Sequence, residues 1–153
     1  MAATWASLVH IGENGYLDAT RQILETRAKM AAGIQQIPDL HVLGNPQSMI
    51  VAFGSSRLNV YAVNDAMTKK GWALNAHQNP PAVHICVAIR QIGREEEFLS
   101  DLKAAVEEVR NAPKKANGAK DSGSAPIYGS VSSLPPGPVK DVLFRYLDVT
   151  YSS

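Results

Sequence analysis

The 153-residue chain carries 45% hydrophobic and 19% charged residues, an ordinary balance for a globular domain, and its net charge of +1 excludes an electrostatic footprint for nucleic acid or an acidic membrane. One cysteine, Cys86, excludes an internal disulfide and suits a reducing compartment. No apolar run approaches the roughly 20 residues of a membrane-spanning helix and the N-terminus lacks the layout of a secretory signal, so a soluble chain is expected.

In chain order, residues 2–10 read as helix without an N-cap or approach turn ahead of them, so residues 1–15 are expected to be the stump of a longer linking helix, with a frayed natural start as the alternative. Gly12-Glu13-Asn14-Gly15 is predicted to be a turn. A second helix is predicted over residues 16–37 and ended by Pro38, because Ile23, Met30 and Ile37 recur every seven positions with Ala19, Ala31 and Ile34 beside them. Arg21, Glu25 and Lys29 stand at four-residue steps on another face and are expected to support one another in solvent. Short strands are predicted at 41–43 and 49–53, joined through Gly44-Asn45-Pro46.

Asn59 reads as the N-cap of a helix ending near Lys70, with Val60, Val63 and Met67 buried, Lys69 and Lys70 at its negative end and Gly71 just beyond. Residues 72–74 suggest a short strand, and Asn79-Pro80-Pro81 a rigid connection. Residues 83–89 are predicted to be the strongest strand, with Val83, Ile85, Val87 and Ile89 on one face and His84, Cys86 and Ala88 on the other. A helix over 95–110 opens on three glutamates and buries Phe98, Leu102, Ala105, Val106 and Val109. Residues 112–124, rich in Lys, Gly, Ser and Asn, form a predicted flexible linker. The tail, 125–153, carries Ile127-Tyr128-Gly129, a Pro-rich turn and a helix over 139–151. The expected fold is α+β: a small antiparallel sheet covered by helices, with residues 1–111 as one domain.

The chemistry-bearing motifs are sparse. Lys69-Lys70 closes a solvent-facing helix and Lys114-Lys115 lies in the linker, so neither is the setting of a Schiff-base lysine. His84 and Cys86 share a strand face that His41 and His77 can approach, but a zinc site needs three or four placed ligands, and a half-buried strand face explains them. There is no Gly-x-Gly-x-x-Gly, no P-loop and no Gly-x-Ser-x-Gly elbow. Glu95-Glu96-Glu97 is explained by the helix dipole. No catalytic, cofactor-binding or metal residue is assigned.

Several strings recur in order: Trp5-Ala6-Ser7-Leu8-Val9-His10-Ile11-Gly12-Glu13-Asn14-Gly15-Tyr16; Leu43-Gly44-Asn45-Pro46; Lys70-Gly71-Trp72-Ala73-Leu74-Asn75; Pro80-Pro81-Ala82-Val83-His84; Ile127-Tyr128-Gly129; and Phe144-Arg145-Tyr146-Leu147-Asp148. Together they resemble the C-terminal portion of the sphingosine-1-phosphate lyases, within the group II pyridoxal-phosphate decarboxylase-like superfamily, over almost the whole chain. The resemblance implies the C-terminal small domain of a fold-type-I pyridoxal-phosphate enzyme, usually a homodimer, which cleaves the C2–C3 bond of a sphingoid-base phosphate to phosphoethanolamine and a fatty aldehyde. It also implies that the cofactor sits on a lysine of a large domain missing here, so that this chain alone holds no cofactor and is inactive. Family members in eukaryotes are anchored at the endoplasmic reticulum with the catalytic part facing the cytosol.

From the same resemblance, His84 occupies a strand position that carries a substrate-facing arginine in related decarboxylases, although a structural role is the plainer reading. Ile127, Tyr128, Gly129 and Ser130 would border the channel for the lipid chain, with packing against the large domain as the plainer reading. The competing function is a free-standing α+β binding or regulatory module without catalysis.

Overall fold

The computed structural model describes residues 2–112 and 136–151. The elements are α1 (Ala2–Gln35), β1 (His41–Val42), β2 (Ile50–Gly54), α2 (Val60–Lys69), β3 (Asn75–His77), β4 (Ala82–Cys86), a single 3-10 turn (Ile89–Gln91), α3 (Glu95–Asn111) and α4 (Pro136–Tyr151). The four strands form one antiparallel sheet in the order β1-β2-β4-β3. The fold is α+β with a small antiparallel sheet, as expected. The predicted linker beyond Ala112 and the tail before Pro136 lie outside the described residues.

The register pairs Val51 with Ile85 and Phe53 with Val83, which puts four large apolar side chains on one face. That face is covered by the C-terminal part of α1 and by α2, with α3 packed on both helices. The core there comprises Met30 and Ile34 of α1, Val63 and Met67 of α2, and Phe98, Leu102 and Val106 of α3, all buried. The seven-residue spacing predicted for α1 is therefore its core stripe: Met30 and Ile37 are buried, and Ile23 packs at the margin.

Five local expectations are corrected. The break near residues 12–15 is one residue wide: Gly12, at φ 65 and ψ 172, is the sole non-helical position in α1, and the helix resumes at Glu13. A side chain is strained at that positive φ, so glycine makes the kink. Arg21 pairs with Asp18 at 2.7 Å rather than with Glu25, and Lys29 reaches across to Glu95 at 3.2 Å.

The strand expected at 72–74 is displaced to Asn75–His77. Its cause is the end of α2, where Trp72 N–H donates to Met67 O and Gly71 N–H to Thr68 O, a Schellman closure with Gly71 at φ 88. Trp72 thus spends its N–H on the cap, and its ring drops into the core edge-on to Phe98 at 5.1 Å. The strand expected at 83–89 stops at Cys86, after which Ala88 N–H donates to the Gln91 side chain and the chain turns away. Ile89 consequently leaves the core and is 65% exposed. α4 begins at Pro136, ahead of the expected start, since proline in a first turn lacks only an N–H that no helical bond would use.

The N-cap prediction at Asn59 holds, its side-chain oxygen accepting from Tyr61 N–H at 3.0 Å. Phe98 is fully buried between Trp72 and the α1–α3 contact. Replacing it with Ala is expected to cost about 3–5 kcal/mol, read as a lowered urea midpoint with native-like helix content at zero denaturant.

Candidate functional site

Strand alternation sends the residues between the core positions to the opposite face of the sheet. Ile50 pairs with Cys86 there, Ala52 with His84, and His84 in turn with Asn75 on β3. His77 pairs with Ala82, and His41 with Gly54 across β1 and β2. No helix of the core covers this row. Ile50, Asn75, His77, His41 and Cys86 are exposed, and His84 is half-buried. The four strands contain no Asp, Glu, Lys or Arg.

His84 is central on this face. Its ring lies 4.6 Å from that of His77, tilted by 42°. Asn75 Nδ2 approaches His84 Nε2 at 3.5 Å, a long contact, and His84 Nδ1 is buried with no partner among the described residues. Burial first, and His77 second, hold the His84 imidazole below its ordinary value of 6.5. At Gly54 an added Cβ would meet Pro81 O at 3.2 Å and His41 Nε2 at 3.4 Å, so the absent side chain lets the β1 histidine lie against the sheet. The predicted approach of His41 and His77 to the His84 face is thus realised, while Asn75 escaped the sequence reading. β3 begins three residues after the predicted strand, which sets Asn75 opposite His84. Ile127, Tyr128, Gly129 and Ser130 lie outside the described residues.

A second uncovered surface is the N-terminal part of α1. Trp5, Leu8, Val9 and Ile11 are exposed, Trp5 by 69%, followed by Tyr16 and Leu17 beyond the kink. Farther along, Thr20, Ile23 and Leu24 face Gln47, Ser48 and Met49 across a mostly apolar groove of about 370 Å³.

The described lysines do not fit a carbonyl cofactor. Lys29, Lys69 and Lys70 pair with Glu95, Glu108 and Asp101 on helix surfaces, and Lys103 and Lys140 are exposed. None faces an enclosed pocket beside the sheet, so no bond-breaking step is assigned to them. Among the described residues no group of three or more His, Cys, Asp or Glu is placed to hold a metal ion. No helix among them is long and apolar enough to cross a membrane.

No family model matches the chain. The fold recurs in C-DES, in a structure with glycine covalently linked to the PLP cofactor, at TM-score 0.50 and 20% identity over 56% of this chain and 23% of that one. The α+β fold of this chain is therefore shared with part of an enzyme whose structure carries a PLP cofactor. The sphingosine-1-phosphate lyase of Burkholderia pseudomallei K96243 is 44% identical with TM-score 0.67, covering 71% of this chain and 25% of that chain. The sphingosine-1-phosphate lyase of Arabidopsis thaliana is 40% identical over 152 residues, 99% of this chain and 27% of the relative. The chain is a homologue of the sphingosine-1-phosphate lyases over nearly its whole length, and it spans about a quarter of the length of those it matches.

The lowered His84 value gives a signed consequence. The unfolded chain binds a proton at the ordinary 6.5 and the folded chain only at lower pH, so protonation favours unfolding. Stability is expected to be full above that ordinary value and to fall as pH drops through it toward the folded one. Urea melts at about pH 7.5 and about pH 5.5 test this, and His84→Gln should shrink the difference. A wild-type chain no less stable at the acid pH would contradict it.

Proposed function

We propose that this chain is the C-terminal small domain of a pyridoxal-phosphate-dependent carbon–carbon lyase that cleaves sphingoid-base 1-phosphates to phosphoethanolamine and a fatty aldehyde. One observation carries the reading: 40% identity to a sphingosine-1-phosphate lyase extends over 99% of the chain but only 27% of the relative. On this reading the cofactor and its lysine belong to a larger domain supplied by the rest of the polypeptide, and the 153 residues alone do not turn over substrate. The surface placement of every described lysine supports that division. So does the apolar run Trp5, Leu8, Val9 and Ile11, left in solvent where a covering domain would bury it.

The proposal extends to assembly and place. The full enzyme is a homodimer at the endoplasmic reticulum membrane with its catalytic part in the cytosol, and residues 1–111, 112–124 and 125–153 serve as small domain, linker and tail. His84 stands at the phosphate-bearing end of the substrate, supported by its place on the uncovered sheet face. Ile127, Tyr128, Gly129 and Ser130 border the alkyl channel.

Intact mass of the endogenous polypeptide carrying this sequence is the direct test. A mass well above 16.5 kDa together with lyase turnover is expected. A 16.5 kDa species that cleaves no sphingoid-base phosphate, alone or with any co-purifying chain, would sink the reading. In the longer enzyme, Tyr128→Ala is expected to raise KM for the lipid substrate severalfold with little change in kcat. An unchanged KM would remove Tyr128 from the channel.

A further inference from the structure

The two ring nitrogens of His84 have different surroundings. Nδ1 is sealed from solvent with no hydrogen-bond partner among the described residues, whereas Nε2 lies 3.5 Å from Asn75 Nδ2 across the β3–β4 pairing. Burial first, and His77 second, hold the imidazole below its ordinary value, so near neutral pH the ring keeps a single proton. That proton has two seats to choose from. On Nδ1 it is a sealed N–H without an acceptor, which costs the full desolvation of a donor. On Nε2 it stands beside the side chain of Asn75, which is exposed. Nε2–H is therefore the tautomer these surroundings select.

With the proton on Nε2, that N–H and the Asn75 amide N–H are both donors, and neither satisfies the other. Two donor nitrogens 3.5 Å apart are spaced to converge on one oxygen, each at an ordinary hydrogen-bond length of about 2.9 Å. An Asn75 amide turned over, so that Oδ1 accepts from Nε2–H, fills the pair when no such oxygen is present.

We infer that His84 Nε2–H and the Asn75 side-chain amide together clasp one phosphate oxygen of the lyase substrate, which makes Asn75 a second binding residue on this sheet. The inference rests on the lyase reading above, which puts His84 at the phosphate-bearing end, and extends it to a further residue and a stated tautomer. An oxygen anion suits the pair better than a cation or an alkyl chain, because both groups donate and neither accepts. The four strands carry no Asp or Glu to repel it. The clasp has no charge of its own, so it fixes the direction of one P–O bond rather than balancing the dianion.

Asn75 is a clean place to test this. Its side chain is exposed, and among the described residues its one hydrogen-bonding contact is with His84. The first measurement is nitrogen-15 spectroscopy of the labelled 153-residue chain at about pH 8, where imidazoles are neutral. His84 is expected to show a protonated Nε2 and a bare Nδ1, and the reverse pattern overturns the clasp. The second is kinetics of the long enzyme. Asn75→Ala is expected to raise both KM for the sphingoid-base phosphate and the inhibition constant of inorganic phosphate about tenfold, with little change in kcat. Asn75→Asp keeps the shape of the side chain but sets a carboxylate against the phosphate, and should raise both constants further. An inhibition constant for inorganic phosphate that neither variant moves, or a loss confined to kcat, overturns the inference. Should Asn75→Ala fail to fold, Asn75→Asp and the tautomer decide. A wild-type long enzyme that turns over no sphingoid-base phosphate sinks the lyase reading, an outcome separate from these.

Discussion

The pairing of β2 with β4 is the constraint on which the rest of this structure depends. Its register places Val51, Phe53, Val83 and Ile85 on one face, and burial of each such side chain contributes about 1.5–3 kcal/mol. A slip of either strand by one residue would turn its two core side chains to the opposite face, so the register is strongly specified. The same alternation leaves no choice for the residues between them. Ile50, Ala52, His84 and Cys86 must line the other face once their neighbours line the core. The candidate site is thus positioned by core packing, before any demand of function.

Legibility in the sequence followed the strength of local signals. The α1 stripe through Met30 and Ile37, the Asn59 cap, the Gly71 stop and the buried row of α3 rest on periodicity and capping, which act within a few residues and were readable directly. The corrections all arise where a distant or competing partner intervened. Trp72 looks like a strand former by type, yet its N–H closes a helix and its indole N–H donates to Asp101 at 2.8 Å. Ile89 continues an alternating pattern, yet the Gln91 side chain takes the Ala88 N–H and ends the ladder. Lys29 has Glu25 one turn away on its own helix and pairs instead with Glu95, brought close only by the packing of α3. The contact of His77 with His84 depends on strand register, which a hydrophobic pattern constrains but does not print.

α1 shows what a core of this size can and cannot hold. Of its 34 residues only Thr26, Met30 and Ile34 are buried, all in the last third. Helices draw most of their stability from tertiary packing of an apolar face. The segment before Gly12 has such a face, through Trp5, Leu8 and Val9, and all three are exposed. Gly12 then sets the angle between that segment and the packed part, and nothing lies within 4 Å of where its Cβ would be. Backbone geometry rather than crowding requires glycine there. The direction of the projecting segment is therefore a property of the chain itself, available to whatever covers it.

The distribution of charge connects these two surfaces. The acidic and basic side chains that form ion pairs lie on α1 beyond its kink, on α2, on α3 and on the connections beside them, where Asp39 joins Arg57 and Arg110 across the α3 end of the core. Residues 2–11 of α1 and the four strands carry no Asp, Glu, Lys or Arg. Placing charge on one set of surfaces and withholding it from another separates what meets water from what can be buried, because an unpaired charge is the most expensive group to remove from solvent. This chain keeps Asp, Glu, Lys and Arg off all four strands and off residues 2–11, and gathers the described ion pairs on the helices and connections around the core.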